Sequence, residues 1–501
     1  MRNGKLKQGG SRGDFWGFLV AGLLLVAAPP AWADEDPGDG HQDQSGHEEH
    51  GEDGDHGGDG EEGHHGKHSS RLSDEKIPLQ IEGFPQRPKP LLELGEPFLG
   101  TGTLAPGFRL PTGAVWQPAL TMFGTFRTAV QTTDSGGGRV TEWANRLDLF
   151  FNLALSGSER LVVGLRPFDE GGRFSSYFFE HPDPALDGAF RDELDLEIDS
   201  LFFEGDFGEI FPNLDERDFG SLDIGFSVGR QPLFFQEGML INDAVDGVGL
   251  TRNTLLPRNT SNFRATFLAA WDNVHAGAVE RDANLYALLT STDFRLSTVD
   301  FDVAWVDADD GTGDLVSAGL SAVQRLGKFS TAFRVLGSVA TGDETPFSTD
   351  GMLWFSEVSW VPHYTHDMVY FTTFWAFDEF SAASRGPATG GPLGRAGINF
   401  AAPGLGSVGA PLSSRARDVA GGAVGYQKFF DATRKQLIIE AGFRFGTDAA
   451  VDDAYALTAR YQAALRQHFV VVIDGFVGNE EFAGGGSDTL YGGRLELVTK
   501  F

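Results

Sequence analysis

The chain contains no cysteine among its 501 residues. That excludes disulfide stapling, thiolate-bound zinc, haem attachment through a C-x-x-C-H motif and a lipid-modified N-terminal cysteine. Long apolar runs are also missing. The one candidate, residues 15–28, falls short of the roughly 20 residues a membrane-spanning helix needs. Basic residues are few, 39 Lys and Arg against 71 Asp and Glu, leaving a net charge of −32. A nucleic-acid partner is therefore not expected, since such domains are usually basic, and the balance favours cationic or neutral solutes. Catalytic signals are equally sparse. There is no P-loop, and the pair His363 and His366 sits at a short turn, so no enzyme is expected.

What is present divides the chain into four. Residues 1–33 read as a secretory signal peptide. Arg2, Lys5, Lys7 and Arg12 precede the apolar stretch 18–28, Pro29-Pro30 ends it, and Ala31-Trp32-Ala33 offers the small residues a signal peptidase cuts after. Residues 34–70 consist almost wholly of Gly, His, Asp and Glu. Without Leu, Ile, Val or Phe the tract cannot offset its ordering entropy, and disorder is expected. It holds His41, His47, His50, His56, His64, His65 and His68, seven of the twelve histidines. Imidazoles among carboxylates suit Zn²⁺, Cu²⁺ or Ni²⁺, but the irregular spacing matches no fixed tetrahedral set. Loose metal binding and a solvated tether both remain open. Residues 71–114 are rich in proline and glycine and read as an irregular periplasmic arm.

Residues 115–501 change texture. Segments of apolar and polar alternation are separated by turn residues, the dyad pattern of a transmembrane β-barrel. Leu147, Leu149, Phe151 and Leu153 share one face, and Arg146 and Asp148 the other. Val299, Phe301, Val303 and Trp305 oppose Asp300 and Asp302. Leu437, Ile439 and Phe445 oppose Glu440 and Arg444. Aromatics near strand ends, Trp354, Trp360, Tyr364 and Tyr370, fit an interfacial girdle. Short connections, as at Gly157-Ser158 and Leu326-Gly327, alternate with long ones, of which 378–417 is the longest. Counting residues 160–180 as one strand, the expected fold is all-β: a closed antiparallel barrel of eighteen strands. It falls to sixteen if the weak segment 245–253 lies outside the wall. Only closure satisfies every backbone group facing lipid.

The final run, Tyr491-Gly492-Gly493-Arg494-Leu495-Glu496-Leu497-Val498-Thr499-Lys500-Phe501, resembles the assembly signal of bacterial outer-membrane barrels. The resemblance implies the outer membrane of a Gram-negative bacterium, with lipid and the barrel-assembly machinery as partners and the His-rich tract in the periplasm. A second run, Val228-Gly229-Arg230-Gln231-Pro232-Leu233, then Gly238-Met239-Leu240-Ile241 and Asp246-Gly247-Val248, resembles single-chain porins of the alginate-export type. It implies eighteen strands, with Arg230, Gln231 and Asp246 near a pore. Alternation from Phe226 and Val228 instead puts Arg230 on the lipid side, unless a bulge re-aims it or it lies beyond the apolar band. The acidic balance also departs from the cationic lumen an alginate channel wants.

The expected lumen face carries Arg146, Asp148, Arg264, Asp300, Asp302, Arg334, Glu440, Arg444, Arg460, Asp474, Arg494 and Glu496. Such ladders either orient solutes or stabilise a wetted wall. The glycine-rich loop 378–417 either folds inward as a constriction or stays on the surface. The expected function is a channel for passive diffusion of small hydrophilic solutes or ions. The alternatives are a metal-handling protein using the His-rich tract, and the sheath of an electron conduit around a partner cytochrome.

Overall fold

The structure, a computed structural model, describes residues 89–97, 106–134, 136–214, 222–400, 405 and 411–501. The expected signal peptide, the His-rich tract with its seven histidines, and residues 71–88 and 98–105 of the expected arm lie outside these residues. Alternating segments become wall strands in chain order: β1 (Ala119–Asp134), β2 (Arg139–Ala154), β3 (Arg160–Leu165 continued by Arg173–Glu180), β4 (Ile198–Asp206), β5 (Gly225–Phe235) and β6 (Ile241–Leu255). They continue as β7 (Asn262–Asp272), β8 (Ala283–Asp293), β9 (Ser297–Ala308), β10 (Leu315–Leu326), β11 (Phe329–Ala340) and β12 (Gly351–Trp360). The last six are β13 (Met368–Glu379), β14 (Arg417–Phe430), β15 (Lys435–Gly446), β16 (Asp453–Leu465), β17 (Phe469–Glu481) and β18 (Ser487–Lys500).

Each of these strands pairs antiparallel with its neighbours, and β18 pairs with β1 from Tyr491↔Asp134 to Lys500↔Thr125. The ring has eighteen positions. The sixteen-strand alternative is excluded, because β6 lies in the wall, bonded to both β5 and β7. The expected strand 160–180 fills one wall position in two pieces, each paired with β2, with residues 166–172 bent out of the ladder between them. Pro167 and Gly171-Gly172 supply the break; both glycines have positive φ.

The two ends of the barrel differ as the turn chemistry requires. Connections at one end are mostly short, as at 327–328 and 431–434, and the longest ones, such as 380–416, lie at the other. One exception stands on the short-turn end. After β4 the chain runs from 207 to 224, opening with a helical turn Phe207–Ile210 capped by Asp206, which accepts from the Gly208 amide at 2.8 Å. Between β5 and β6 only residues 236–240 lie outside the strands. At the seam of closure the amide of Phe501 donates to the Gly124 carbonyl at 3.1 Å, and the Gly124 amide returns a bond at 2.8 Å. Beyond it a short strand of the arm, Leu92–Leu94, pairs with Leu120–Met122 of β1 and occupies the edge left where β18 stops.

Outward faces carry Leu495, Ile473, Leu457, Ile439 and Val424, all exposed, as a lipid-facing band needs. The buried apolar core lies inside the barrel. There the loop after β13 brings Leu393, Phe400 and Leu412 against Phe355, Phe374 and Ala423 of the wall. Burying each large side chain contributes roughly 1.5–3 kcal/mol, enough to hold a long glycine-rich loop inward. The loop therefore folds into the lumen. Tyr370, expected in the outer girdle, also turns inward and is 7 % exposed.

Candidate functional site: the charged lumen and its inward loop

On β1, β18, β17 and β16 the outward apolar residues leave every second position to the lumen. Those positions form a continuous ion-pair ladder. Arg127 pairs with Glu496 at 2.6 Å, Arg494 with Asp474 at 2.6 Å and with Glu496 at 3.4 Å, and Arg460 with Asp474 at 3.1 Å. Arginine suits this role, since its fork of donors can bridge two carboxylates.

A second group forms where β2, β3 and β4 meet. Arg146 pairs with Asp148 at 2.9 Å. Arg166 reaches Asp148 at 3.0 Å, Asp199 at 2.9 Å and Asp169 at 3.4 Å. Asp199 would face outward by alternation from Leu201. The register shift between Ile198 and Ser200 re-aims it to Arg166.

A third group surrounds a cavity of about 180 Å³ lined by Arg264, Asp300, Asp302 and Arg334. Gln236, from the inward turn after β5, donates to Asp302 at 2.9 Å, and Ser321 donates to Asp300 at 3.2 Å. Arg334 pairs with Glu357 and lies 3.9 Å from Glu237, which also pairs with Arg395 of the long loop at 2.7 Å. Residues of the wall and of two inward segments thus converge there.

The long loop is seated by a buried carboxylate. Glu440, 1 % exposed, accepts from the amides of Ile398 at 2.6 Å and Asn399 at 3.0 Å, and from the Tyr370 hydroxyl. Beside it Gly442 leaves room for Phe400; a Cβ at that position would lie 2.6 Å from the ring. Arg444 donates to the Ser413 carbonyl at 2.7 Å. Nearer the loop's start, Arg385 donates to the carbonyls of Gly238, Gly390, Thr389 and Gly391. Ser384–Arg385 also forms a parallel pairing with β6.

Of the residues expected in the lumen, Arg146, Asp148, Gln231, Arg264, Asp300, Asp302, Arg334, Arg460, Asp474, Arg494 and Glu496 occupy inward positions. Glu440 and Arg444 also point inward, but the loop covers them and they anchor it. Although Arg230 also lines the cavity beside Arg166 and Asp243, Arg230 and Asp246 depart in register from the resemblance-based expectation. They share the outward face of Val228 and Leu250, and bond to each other at 3.0 Å, with Asn273 donating to Asp246 at 3.0 Å. Gly229 has φ +117° yet the register runs through it unbroken, so no bulge re-aims Arg230. Arg127, Arg166, Asp199, Glu237 and Glu357 were not anticipated. Alternation within β1 would have found Arg127; Asp199 depends on the bulge.

No protein-family model matches the chain, and no curated protein matches its sequence. Similarity appears in three dimensions. The chain is similar to a BenF-like porin from Pseudomonas fluorescens Pf-5, with a TM-score of 0.53 and 10% identity over 76% of this chain and 98% of that one. It is similar to OccAB3 of Acinetobacter baumannii, with a TM-score of 0.51 and 10% identity over 76% and 99%. The outer membrane protein OpdK from Pseudomonas aeruginosa gives a TM-score of 0.50 and 11% identity over 76% and 98%. These comparisons do not confirm the alginate-export resemblance, and the barrel has the fold of these outer-membrane porins.

Proposed function

We propose that the protein is a channel in the outer membrane of a Gram-negative bacterium, carrying small hydrophilic solutes or ions by passive diffusion. The observation that carries the reading is the inner face. A closed wall with apolar residues outside holds charges of both signs inside, and an anchored loop narrows the space they share. Opposed charges at close quarters replace part of a solute's hydration as it passes, which is how such lumens select. Asp300, Asp302, Arg264 and Arg334 beside the inward turn are the residues proposed to set that selectivity, with the ladder from Arg127 to Arg460 behind them. The acidic balance favours cations over anions. The inward loop also occupies space that a partner cytochrome would need, which favours a solute channel over the sheath of an electron conduit.

Liposomes containing the purified barrel should swell in isotonic sugars or amino acids up to a sharp size limit. Swelling no faster than in protein-free liposomes would refute the reading. The short-turn end is taken as periplasmic, with Phe501 presented to the assembly machinery. For the His-rich tract we propose loose divalent-metal binding at that end, motivated by its seven imidazoles among carboxylates. Titrating Zn²⁺ into the full chain and into a 34–70 deletion separates this from a tether. Equal heats from both would leave the tract without a metal role.

A further inference from the structure

The wall is closed by hydrogen bonds along its short-turn half, but between β4 and β5 the ladder stops early. It ends at Leu201↔Arg230, and from Gln231 to Phe235 strand β5 is paired with β6 alone. Pro232 suits that edge, since it has no N–H to leave unpaired. Residues 190–197, which precede β4, lean the other way. Phe190–Arg191 pairs with β3, the Glu193 amide donates to Ser175 at 3.0 Å, and the Asp195 amide donates to the Pro167 carbonyl at 3.0 Å. Among the described residues no ladder joins this segment to β5. The result is a seam in the loop-end half of the wall.

Cavities lie on both sides of it. An inner one of about 450 Å³ is lined by Arg166, Asp169, Asp243 and His275 with the start of the long loop. An outer one of about 410 Å³ is lined by Leu196, Leu201 and Asp246. The two share Glu197, Ile198 and Arg230, so these three residues are the wall between lumen and outer surface at this seam, with Arg230 donating to the Ile198 carbonyl at 3.1 Å. Their chemistry differs sharply. The inner side holds Asp169, Asp195, Asp199, Asp243 and Glu197. Its cations are already engaged: Arg166 by three aspartates, Arg230 by Asp246 and His275 by Asp243. One oxygen of Asp169, whose side chain is 3 % exposed, accepts no hydrogen bond. The outer side is apolar, with Leu196 72 % exposed and Ile198 and Leu201 also exposed.

We propose that this seam is a lateral portal for amphipathic organic cations. The ammonium or guanidinium head enters the acidic inner cavity, while the alkyl part lies along Leu196, Ile198 and Leu201 at the outer surface. A buried carboxylate oxygen without a donor is costly, and the apolar outer face gives the alkyl part of such a ligand a matching surface. The path is separate from the aqueous route along the barrel axis, so it adds a class of solute to the channel reading.

The absence of native cysteine makes the test clean. Leu196→Cys and Pro232→Cys, combined in one chain, are bridged by a bis-methanethiosulfonate linker and released with dithiothreitol. Proteoliposomes then report decyltrimethylammonium flux and KCl conductance from the same preparation. Bridging should cut alkylammonium flux at least about fivefold, leave KCl conductance within about twofold, and reverse on reduction. A second variant, Asp195→Asn with Glu197→Gln, leaves the seam open but weakens head-group attraction. It should lower alkylammonium flux roughly threefold to tenfold with KCl conductance kept. Heat-modifiable migration on gels confirms that both fold. Unchanged alkylammonium flux under a verified bridge, or an equal fall in both fluxes, overturns the portal. Absence of KCl conductance in the unbridged protein would instead count against the channel reading.

Discussion

Replacing Glu440 with alanine should free the inward loop while leaving the barrel intact. The carboxylate receives two amides and the Tyr370 hydroxyl in a site 1 % exposed. Hydrogen bonds to a charged group contribute about 1.5–3 kcal/mol each, and buried donors left without a partner cost about 1–3 kcal/mol each. The three are neighbours and do not add fully, so a net loss of ~4 kcal/mol is the working figure. Apolar anchoring by Phe400, Leu393 and Leu412 is of similar size and stays in place. A loss of ~4 kcal/mol shifts the seated-to-released equilibrium about a thousandfold. The loop should then leave its seat for a measurable share of the time without falling away. Single-channel recording should show a noisier open level with larger excursions, and liposome swelling should admit larger sugars. Glu440→Gln, which keeps one acceptor, should fall between the two. A folded Glu440→Ala barrel with native conductance, noise and size limit would refute the claim that this carboxylate seats the loop.

Two further expectations separate neighbouring roles. Arg230→Ala and Asp246→Ala should each lower resistance to thermal unfolding by about 1 kcal/mol, the pair being partly exposed, with a smaller combined loss in the double variant; reversal potentials should not move. A changed ion preference in Arg230→Ala would put that residue back in the lumen. In the hairpin beyond β7, burial opposes the charge on His275, but the Asp243 hydrogen bond and negative charge outweigh it and raise its pKa. A raised folded-state pKa stabilises fully below about pH 6.5 and fades as pH rises through the higher folded value. Hydrogen exchange in residues 274–281, corrected for intrinsic rates, should be faster at pH 8 than at pH 6, and independent of pH in His275→Asn. Equal protection at both pH values in the native chain would contradict this linkage.

The wall was legible because a two-faced sheet imposes period two on the sequence. Strands β2, β9 and β15 could be read residue by residue, and β18 by its final run. Where alternation and resemblance disagreed, at Arg230, the continuous register through Gly229 follows alternation, while the side chain also borders the cavity beside Arg166 and Asp243. It failed at Asp199, since one extra residue in a bulge inverts the pattern locally and leaves no compositional mark. Tyr370 misled for another reason. An aromatic at a strand end suits a lipid interface equally well, but Tyr370 shares the inward face of Thr372, Phe374 and Ala376, where it lies opposite Gly425 and bonds Glu440. The loop core was the least visible element. Leu393, Phe400 and Leu412 are spaced without periodicity among glycines, so their shared burial follows from the wall they meet. The seam beside β5 had a trace in Pro232, whose meaning depends on which neighbour is absent.

The central claim, a conducting lumen with charges that prefer cations, is tested most directly by single-channel recording of the purified barrel across a KCl gradient. The account expects discrete conductance steps and a reversal potential of the sign set by cation preference. A folded, heat-modifiable barrel that inserts but yields no steps would contradict it.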